Sequence, residues 1–405
     1  MAFFPASLAA ALLLAASFAA EARRAPAPPP ADGSFVDNGV TYTPTPWTGV
    51  PGWAADDLRP ALAAFKASCR RIAADASRFA GRPFGAPKDW AALCGAALTT
   101  EPEGARRFFE DGFEALAVRP KGKADPLVTG YYEPELQGDR RWSMLYSAPV
   151  YGVPHDLVMV DVAAFESIPD GQRVAGKVVE GKLVPYDSRA EIETAAYGAR
   201  VPALLFVSSA IDAFFVQIQG SGRVRMADGT WLRIGYAAQN GHPYFPIGRE
   251  LVARGELKRA EATMIAIRDW LRAHPLDADA VMNLNPSFVF FRASPLEDPA
   301  VGPVGGEGVA LTPGRSLAVD PAWYPYGLPI FVSATIAAAD GAGEERTDRL
   351  MIAQDTGGAI RGVIRGDIFF GWGEEAERRA SATAGDAAFY AFRPKPPPEP
   401  RPSTP

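Results

Sequence analysis

Apolar residues recur in different rhythms along this chain. Leu62, Phe65, Cys69 and Ile72 fall three or four residues apart, and Trp90, Leu93 and Cys94 repeat that spacing. Residues 56–118 are therefore predicted to carry helices, with Asp56 or Asp57 as an N-cap. A strand-like VTGYYEPEL follows at 128–136, where Gly130 suits a bulge or a close backbone approach. From 204 to 241 the rhythm contains alternation of period two, which predicts strands, and Asp228-Gly229 marks a two-residue hairpin turn. Residues 248–275 return to helical spacing, interrupted at Gly255. From about residue 308 the short apolar runs SLAVDP, LPIFVSATI, RLMIAQD and RGDIFFGWG predict only strands, as in a small barrel or sandwich with polar residues at strand ends.

The two ends of the chain follow other rules. The run MAFFPASLAAALLLAASFAAEARR is continuous in apolar residues and closes on Ala20-Glu21-Ala22, so residues 1–22 are read as a signal peptide cleaved before Arg23. No Lys or Arg precedes the run, which leaves an uncleaved anchor as the alternative. No cysteine lies near that point, so the chain is not a lipoprotein by sequence. Export to the periplasm is expected, with association to the outer membrane or wall open. The spacer is placed at 23–50; its stretch APAPPPADG and the tail at 393–405 are rich in proline and cannot bury apolar surface, which predicts disorder. In an oxidising compartment Cys69 and Cys94, on facing apolar stripes, could form one disulfide, against two buried free thiols.

Composition narrows the chemistry. With 405 residues, 48% apolar and 22% charged, the chain is globular and long enough for two domains or one with a large insertion. A net charge of −6 without basic blocks excludes nucleic acid as a partner. The three histidines, His155, His242 and His274, are far apart and match no metal-site spacing, and no cofactor motif is present. Gly220-Ser221-Gly222 lacks the spacing of a nucleophile elbow, and GGAIRG at 357–362 lacks the Lys-Ser/Thr of a phosphate loop. Carboxylates remain. Asp355 precedes Gly357-Gly358, which let a ligand approach the backbone closely, and Asp367 precedes the apolar Ile368-Phe369-Phe370. Partial desolvation there, with a second carboxylate nearby, favours a protonated general acid of the kind that glycosidic bond cleavage requires. Aromatics beside turn residues (Tyr131, Tyr132, Trp231, Tyr236, Trp323, Tyr324, Tyr326 and Trp372) suit the apolar faces of sugars. Gln217 and Gln219 alternate with Ile218, which would place both amides on one strand face as hydroxyl readers.

Six ordered blocks then carry a family resemblance: GYYEPEL at 130–136, VQIQGSG at 216–222, YAAQNGHPYFPIG at 236–248, NPSFVFF at 285–291, DPAWYPYGLPIF at 320–331 and AQDTGGAIRGVIRGDIFFG at 353–371. Together they resemble the membrane-bound lytic murein transglycosylase A (MltA) family, and the last two also resemble the 3D domain, whose three aspartates would be Asp320, Asp355 and Asp367. The resemblance implies a mainly β (α+β) fold. A double-psi β-barrel would be built from residues 51–140, which also carry the N-terminal helices, and 286–392, around an inserted smaller domain at 141–285. It implies peptidoglycan glycan strands as the partner, alongside proteins of wall synthesis or hydrolysis, and no cofactor. The implied reaction cleaves the β-1,4 bond between N-acetylmuramic acid and N-acetylglucosamine, with the muramic C6 hydroxyl as nucleophile and a 1,6-anhydro product. Asp367 would be the acid and then the base, with Asp355 in support. Tyr131, Tyr132, Gln217, Gln219, Ser221, Asn240, Asp320, Tyr324, Gly357, Gly358 and Trp372 are the candidate glycan contacts. A hydrolytic muramidase and a non-catalytic, expansin-like wall-binding module are the competing readings.

Overall fold

Two large mixed sheets, built from interleaved stretches of chain, dominate this computed structural model, which describes residues 32–122, 126–161, 173–338 and 343–395. The expected leader, the first part of the spacer and most of the tail lie outside the described residues. The larger sheet has ten strands. From edge to edge they are Phe35–Asp37, Val40–Thr45, Phe113–Pro120, Ala387–Pro394, Pro329–Ala337, Glu344–Asp355, Ser316–Ala318, Arg365–Trp372, Leu127–Glu133 and Ala384–Gly385. The second sheet orders Val289–Pro295, Trp231–Gln239, Ser221–Met226, Glu135–Asp139, Ala203–Val207 and Ala148–Tyr151. A small three-stranded sheet (Val158–Asp161, Arg173–Val179, Lys182–Pro185) completes the β structure. The chain between 135 and 295 thus interrupts the ten-stranded sheet, and the segment VTGYYEPEL changes sheets at Pro134, which cannot donate a ladder hydrogen bond.

The fold is mainly β, with mixed sheets. The larger sheet does not close as a ring of hydrogen-bonded strands, because Phe35–Asp37 and Ala384–Gly385 remain edges.

Four local expectations fail. Residues Ala210–Gln219 form a helix instead of a strand, capped by Ser209 Oγ accepting from Asp212 N–H and ended by Gly220 at φ +79°. The alternation in AIDAFFVQIQ was outweighed by these helix-terminus signals and by packing on both sides of Phe214 and Phe215. A second helix, Gly373–Ala382, ends the supposed all-strand region; its buried positions are only Ala376 and Ala380, so its apolar stripe is faint. The N-cap expectation also changes: the first helix, Arg59–Ala74, has Leu58 at its N-cap. Asp56 instead pairs with Arg315 at 2.7 Å and accepts from Leu350 N–H, while Asp57 accepts from Arg59 N–H. Residues Phe113–Pro120, within the helical forecast, are a strand.

The N-terminal helices cover one part of the larger sheet. Phe65, Trp90, Phe109 and Phe113 are fully buried there with Phe392, and Phe79 stacks on Trp90 at 4.0 Å between centroids. Cys69 on the first helix and Cys94 on Pro87–Thr99 are joined by a disulfide across 25 positions of chain. Closing a loop of that length restricts the unfolded chain by about 3 kcal/mol. The Cys69→Ser/Cys94→Ser variant is expected to lose roughly that much in a urea titration, read as a lower midpoint. A midpoint equal to wild type would show that the bond contributes nothing.

Candidate active site

The short strand Ser316–Ala318 sets the two acids in place. It pairs with Glu344–Asp355 on one side and with Arg365–Trp372 on the other, so that Ala318 has Asp355 and Asp367 as its two register partners. Adjacent strands lie about 4.8 Å apart, and a methyl group at the middle position leaves space between the carboxyls. On its far side Asp367 is in register with Thr129 of Leu127–Glu133. Gly130, next along that strand, must be glycine: a Cβ there would come within 2.4 Å of the Phe370 ring and 2.8 Å of the Ala380 Cα.

The two acids differ in their hydrogen bonds. Asp355 accepts three, from Tyr131 Oη–H at 2.7 Å, Gly306 N–H at 2.8 Å and Thr356 N–H at 2.9 Å. Burial pushes its carboxyl up, and these three donors, which favour the anion, hold it back. Asp367 accepts one, from Thr129 Oγ–H at 2.7 Å. Burial, aided by the Asp355 charge, pushes it up to about 6, against the pull of Thr129 and the Arg365 guanidinium. Of the two, Asp367 is the carboxyl with fewer donors, and its pKa is raised toward neutrality. Arg365, two residues earlier, shows that the site is not free of cations.

Asp367 forms part of the wall of a cleft of about 620 Å³ between the larger sheet and the helices of the interrupting segment. Gly130 and Tyr131 come from the larger sheet, and Phe215, Ile218, Gln219, Tyr244, Ile247, Arg249 and Met264 are among those from the interrupting segment. Among the described residues no cluster of His, Cys, Asp and Glu gathers three ligands for a metal.

The chain resembles known proteins in these same regions. Residues 127–292 match the MltA specific insert domain and residues 315–393 the 3D domain. A membrane-bound lytic murein transglycosylase A of Vibrio cholerae is 33% identical over 257 residues, which are 62% of this chain and 60% of that protein. The chain therefore matches less than two thirds of that relative's length. The crystal structure of a membrane-bound lytic murein transglycosylase from Agrobacterium tumefaciens is 32% identical, with a TM-score of 0.74, covering 87% of this chain and 97% of that one. The chain belongs to the MltA family. MltA of Escherichia coli, solved with bound chitohexaose, is also similar, at 26% identity and TM-score 0.58 over 81% of this chain and 90% of that one.

Within this MltA-family chain, the cleft gathers only some of the candidate contacts. Tyr131 and Gln219 line it. Tyr131 also packs on Phe369, and Gln219 Oε1 accepts from Tyr132 N–H at 3.0 Å. Tyr132 donates to Glu377 at 2.9 Å and accepts from Arg268, joining the helix Met264–Ala273 to Gly373–Ala382. The remaining candidates are not among the residues that line the cleft. Gln217, on the helix and not on a strand face, accepts from buried Arg189 at 2.8 Å and from Val289 N–H. Asn240 donates to the carbonyls of Asp187 and Pro286 and accepts from Phe288 N–H. Asp320 accepts from Gly362 N–H and Ala322 N–H, and Tyr324 Oη donates to Val363 O from within the core. Gln217 ties its helix to the strand at Val289, and the other three tie loops to one another. Ser221 is buried at the start of its strand, and Gly357-Gly358 turn just after Asp355. Trp372 lies under the Arg223 guanidinium, 3.8 Å from its centroid.

Sequence reasoning missed Thr129, Arg365 and Gly306. The last had a signal: Gly305-Gly306 lies in a glycine-rich run, and a Cβ on Gly306 would come within 2.6 Å of Tyr326 Oη. Thr129 carried none, because its partner is 238 positions away.

Proposed function

We propose that this protein is a lytic transglycosylase of peptidoglycan, with Asp367 as its single acid and base. The observation that carries the reading is a carboxyl raised to about 6 in the wall of an open cleft, in a chain similar to proteins named lytic murein transglycosylase A. The Asp367 proton passes to the glycosidic oxygen as the bond to the muramic anomeric carbon breaks. The resulting carboxylate takes the proton of the C6 hydroxyl as that oxygen bonds to the same carbon, leaving a 1,6-anhydro end and Asp367 protonated again. A nucleophile already tethered to the substrate supplies high effective molarity, so no nucleophilic carboxylate on the protein is needed. Asp355, held by three donors, orients Tyr131 and raises Asp367 by its charge. The chitohexaose bound by the Escherichia coli relative supports a glycan in the cleft. We read the larger sheet as an opened double-psi barrel, supported by the approach of its Gly385 edge to the Thr335 carbonyl, where a Cβ would stand 2.4 Å away. Export follows from residues 1–22, and no described helix is long and apolar enough to cross a membrane.

Mass spectrometry of digested sacculi tests the reaction: anhydro ends are expected, whereas reducing ends would make the protein a hydrolase and no release a binding module. The pH dependence tests the acid. Bond cleavage that needs protonated Asp367 declines as pH rises through about 6. Because the Asp355 charge raises Asp367, Asp355→Asn is expected to move that declining limb to lower pH. A limb that stays in place or moves upward would break the electrostatic link between the two.

A further inference from the structure

The turn after Glu135–Asp139 exposes more apolar surface than its surroundings require. Trp142 is 61% exposed, Met144 91% and Leu145 67%, three large apolar side chains within four positions. The turn is preformed. Ser143 N–H donates to Tyr146 O at 3.0 Å, Tyr146 N–H donates to Ser143 Oγ at 3.1 Å, and Arg141 N–H donates to Asp139 Oδ1 at 2.9 Å. Such bonds hold the apolar tip outward instead of letting it fold back on the sheet. At its base Arg140 and Arg141 are both exposed. The acids that face them are engaged in their own turns: Asp139 as just described, and Asp228, within electrostatic reach of Arg140, by Thr230 N–H and Oγ–H.

We propose that this turn docks the protein on the surface of an anionic phospholipid bilayer, with Trp142, Met144 and Leu145 entering the interface and Arg140 and Arg141 meeting lipid phosphates. The arrangement of an indole and two aliphatic chains above two guanidiniums matches the layering of a bilayer interface, apolar inside and anionic at the head groups. The chain as a whole carries −6, so an anionic surface attracts it only where positive charge is local. A protein partner fits less well: stable interfaces need about 800 Å² from each side, more than a protruding tip of three side chains provides. Docking here also leaves the cleft clear. The strand leading to the turn starts at the Pro134 crossover beside the site and carries the turn about 15 Å away. This inference does not depend on the proposed glycan chemistry.

The chain has two cysteines and both are in the disulfide, so Met144→Cys supplies a single thiol for an environment-sensitive nitrobenzoxadiazole label. With vesicles of phosphatidylethanolamine and phosphatidylglycerol at three to one (about 25% anionic, as in the surface-charge argument), its emission is expected to rise and shift to the blue. The same label on Leu276→Cys, at a site 95% exposed elsewhere, is expected to stay unchanged. Adding Arg140→Gln and Arg141→Gln to the Met144→Cys protein should raise the half-saturating lipid concentration by roughly thirtyfold. No shift at 144, an equal shift at 276, or a half-saturation point indifferent to the arginines would each overturn the proposal. So would a shift at 144 that grows with protein concentration in the absence of vesicles, which would assign the turn to contact between copies of this chain.

Discussion

Asp367→Asn is expected to abolish release of glycan fragments while making the protein more stable above neutral pH. The first half follows from chemistry: asparagine keeps the shape and the acceptor for Thr129 Oγ–H but has no proton to give. General acid–base assistance is worth about 10²–10⁴-fold, and Asp367 would serve both bond cleavage and activation of the C6 hydroxyl, so the loss should reach the upper end of that range. The second half follows from linkage. The folded carboxyl has its pKa raised from 3.8 to about 6, so it binds its proton more tightly folded than unfolded. Its contribution is most favourable below the unfolded value and is lost as pH rises through about 6. Above that, ionised Asp367 costs the fold roughly 1–3 kcal/mol, a cost that asparagine does not carry. Activity assays with sacculi and thermal melts at pH 5 and pH 8 read the two halves separately. A variant that is inactive and also less stable at pH 8 would mean that the site had been damaged, not merely deprived of its acid. Substantial residual activity would remove Asp367 from the acid role.

Glu133→Ala is expected to destabilise the protein by about 3–5 kcal/mol, the usual result of stripping one partner from a buried charge network. Glu133 is fully buried just before Pro134, where the chain leaves the larger sheet. It accepts from Arg223 Nε and Arg233 Nε, both at 2.7 Å. The same arginines donate onward to the carbonyls of Pro299 and Val301, so one carboxylate holds both sheets and the loop toward Gly306. Removing it leaves two guanidiniums with carbonyls alone. Glu133→Gln should lie between, since it keeps one neutral acceptor. Urea midpoints of the three proteins measure the series, and a loss below about 1 kcal/mol for alanine would show that the network is spread over other contacts. Because Arg223 also covers Trp372, beside the Tyr131 cluster, the surviving folded protein is expected to bind glycan more weakly.

Much of this was legible in order along the chain. Helical spacing in Leu62, Phe65, Cys69 and Ile72 marked the first helix, and those residues are its buried face. The glycine-flanked Asp355 and Asp367 were recognisable because both the local backbone and the neighbouring apolar residues are written next to them. The faint helix Gly373–Ala382 and the misread Ala210–Gln219 were not, since one buries only alanines and the other is apolar on nearly every side. Periodicity reports a face only when the opposite face differs from it.

By itself, then, the sequence marked the candidate acids: two carboxylates in glycine-rich surroundings. Only the tertiary structure sets the surroundings of the two acids: three donors on Asp355, one on Asp367, and a cleft beside Asp367. That depends on Thr129, Gly306 and Tyr131, brought to the acids from 238, 49 and 224 positions away, and on a cleft walled by the larger sheet and by helices of the interrupting segment. Side-chain pKa is set by the donors, the charges and the excluded water around a group, and several of these come from residues distant in the chain.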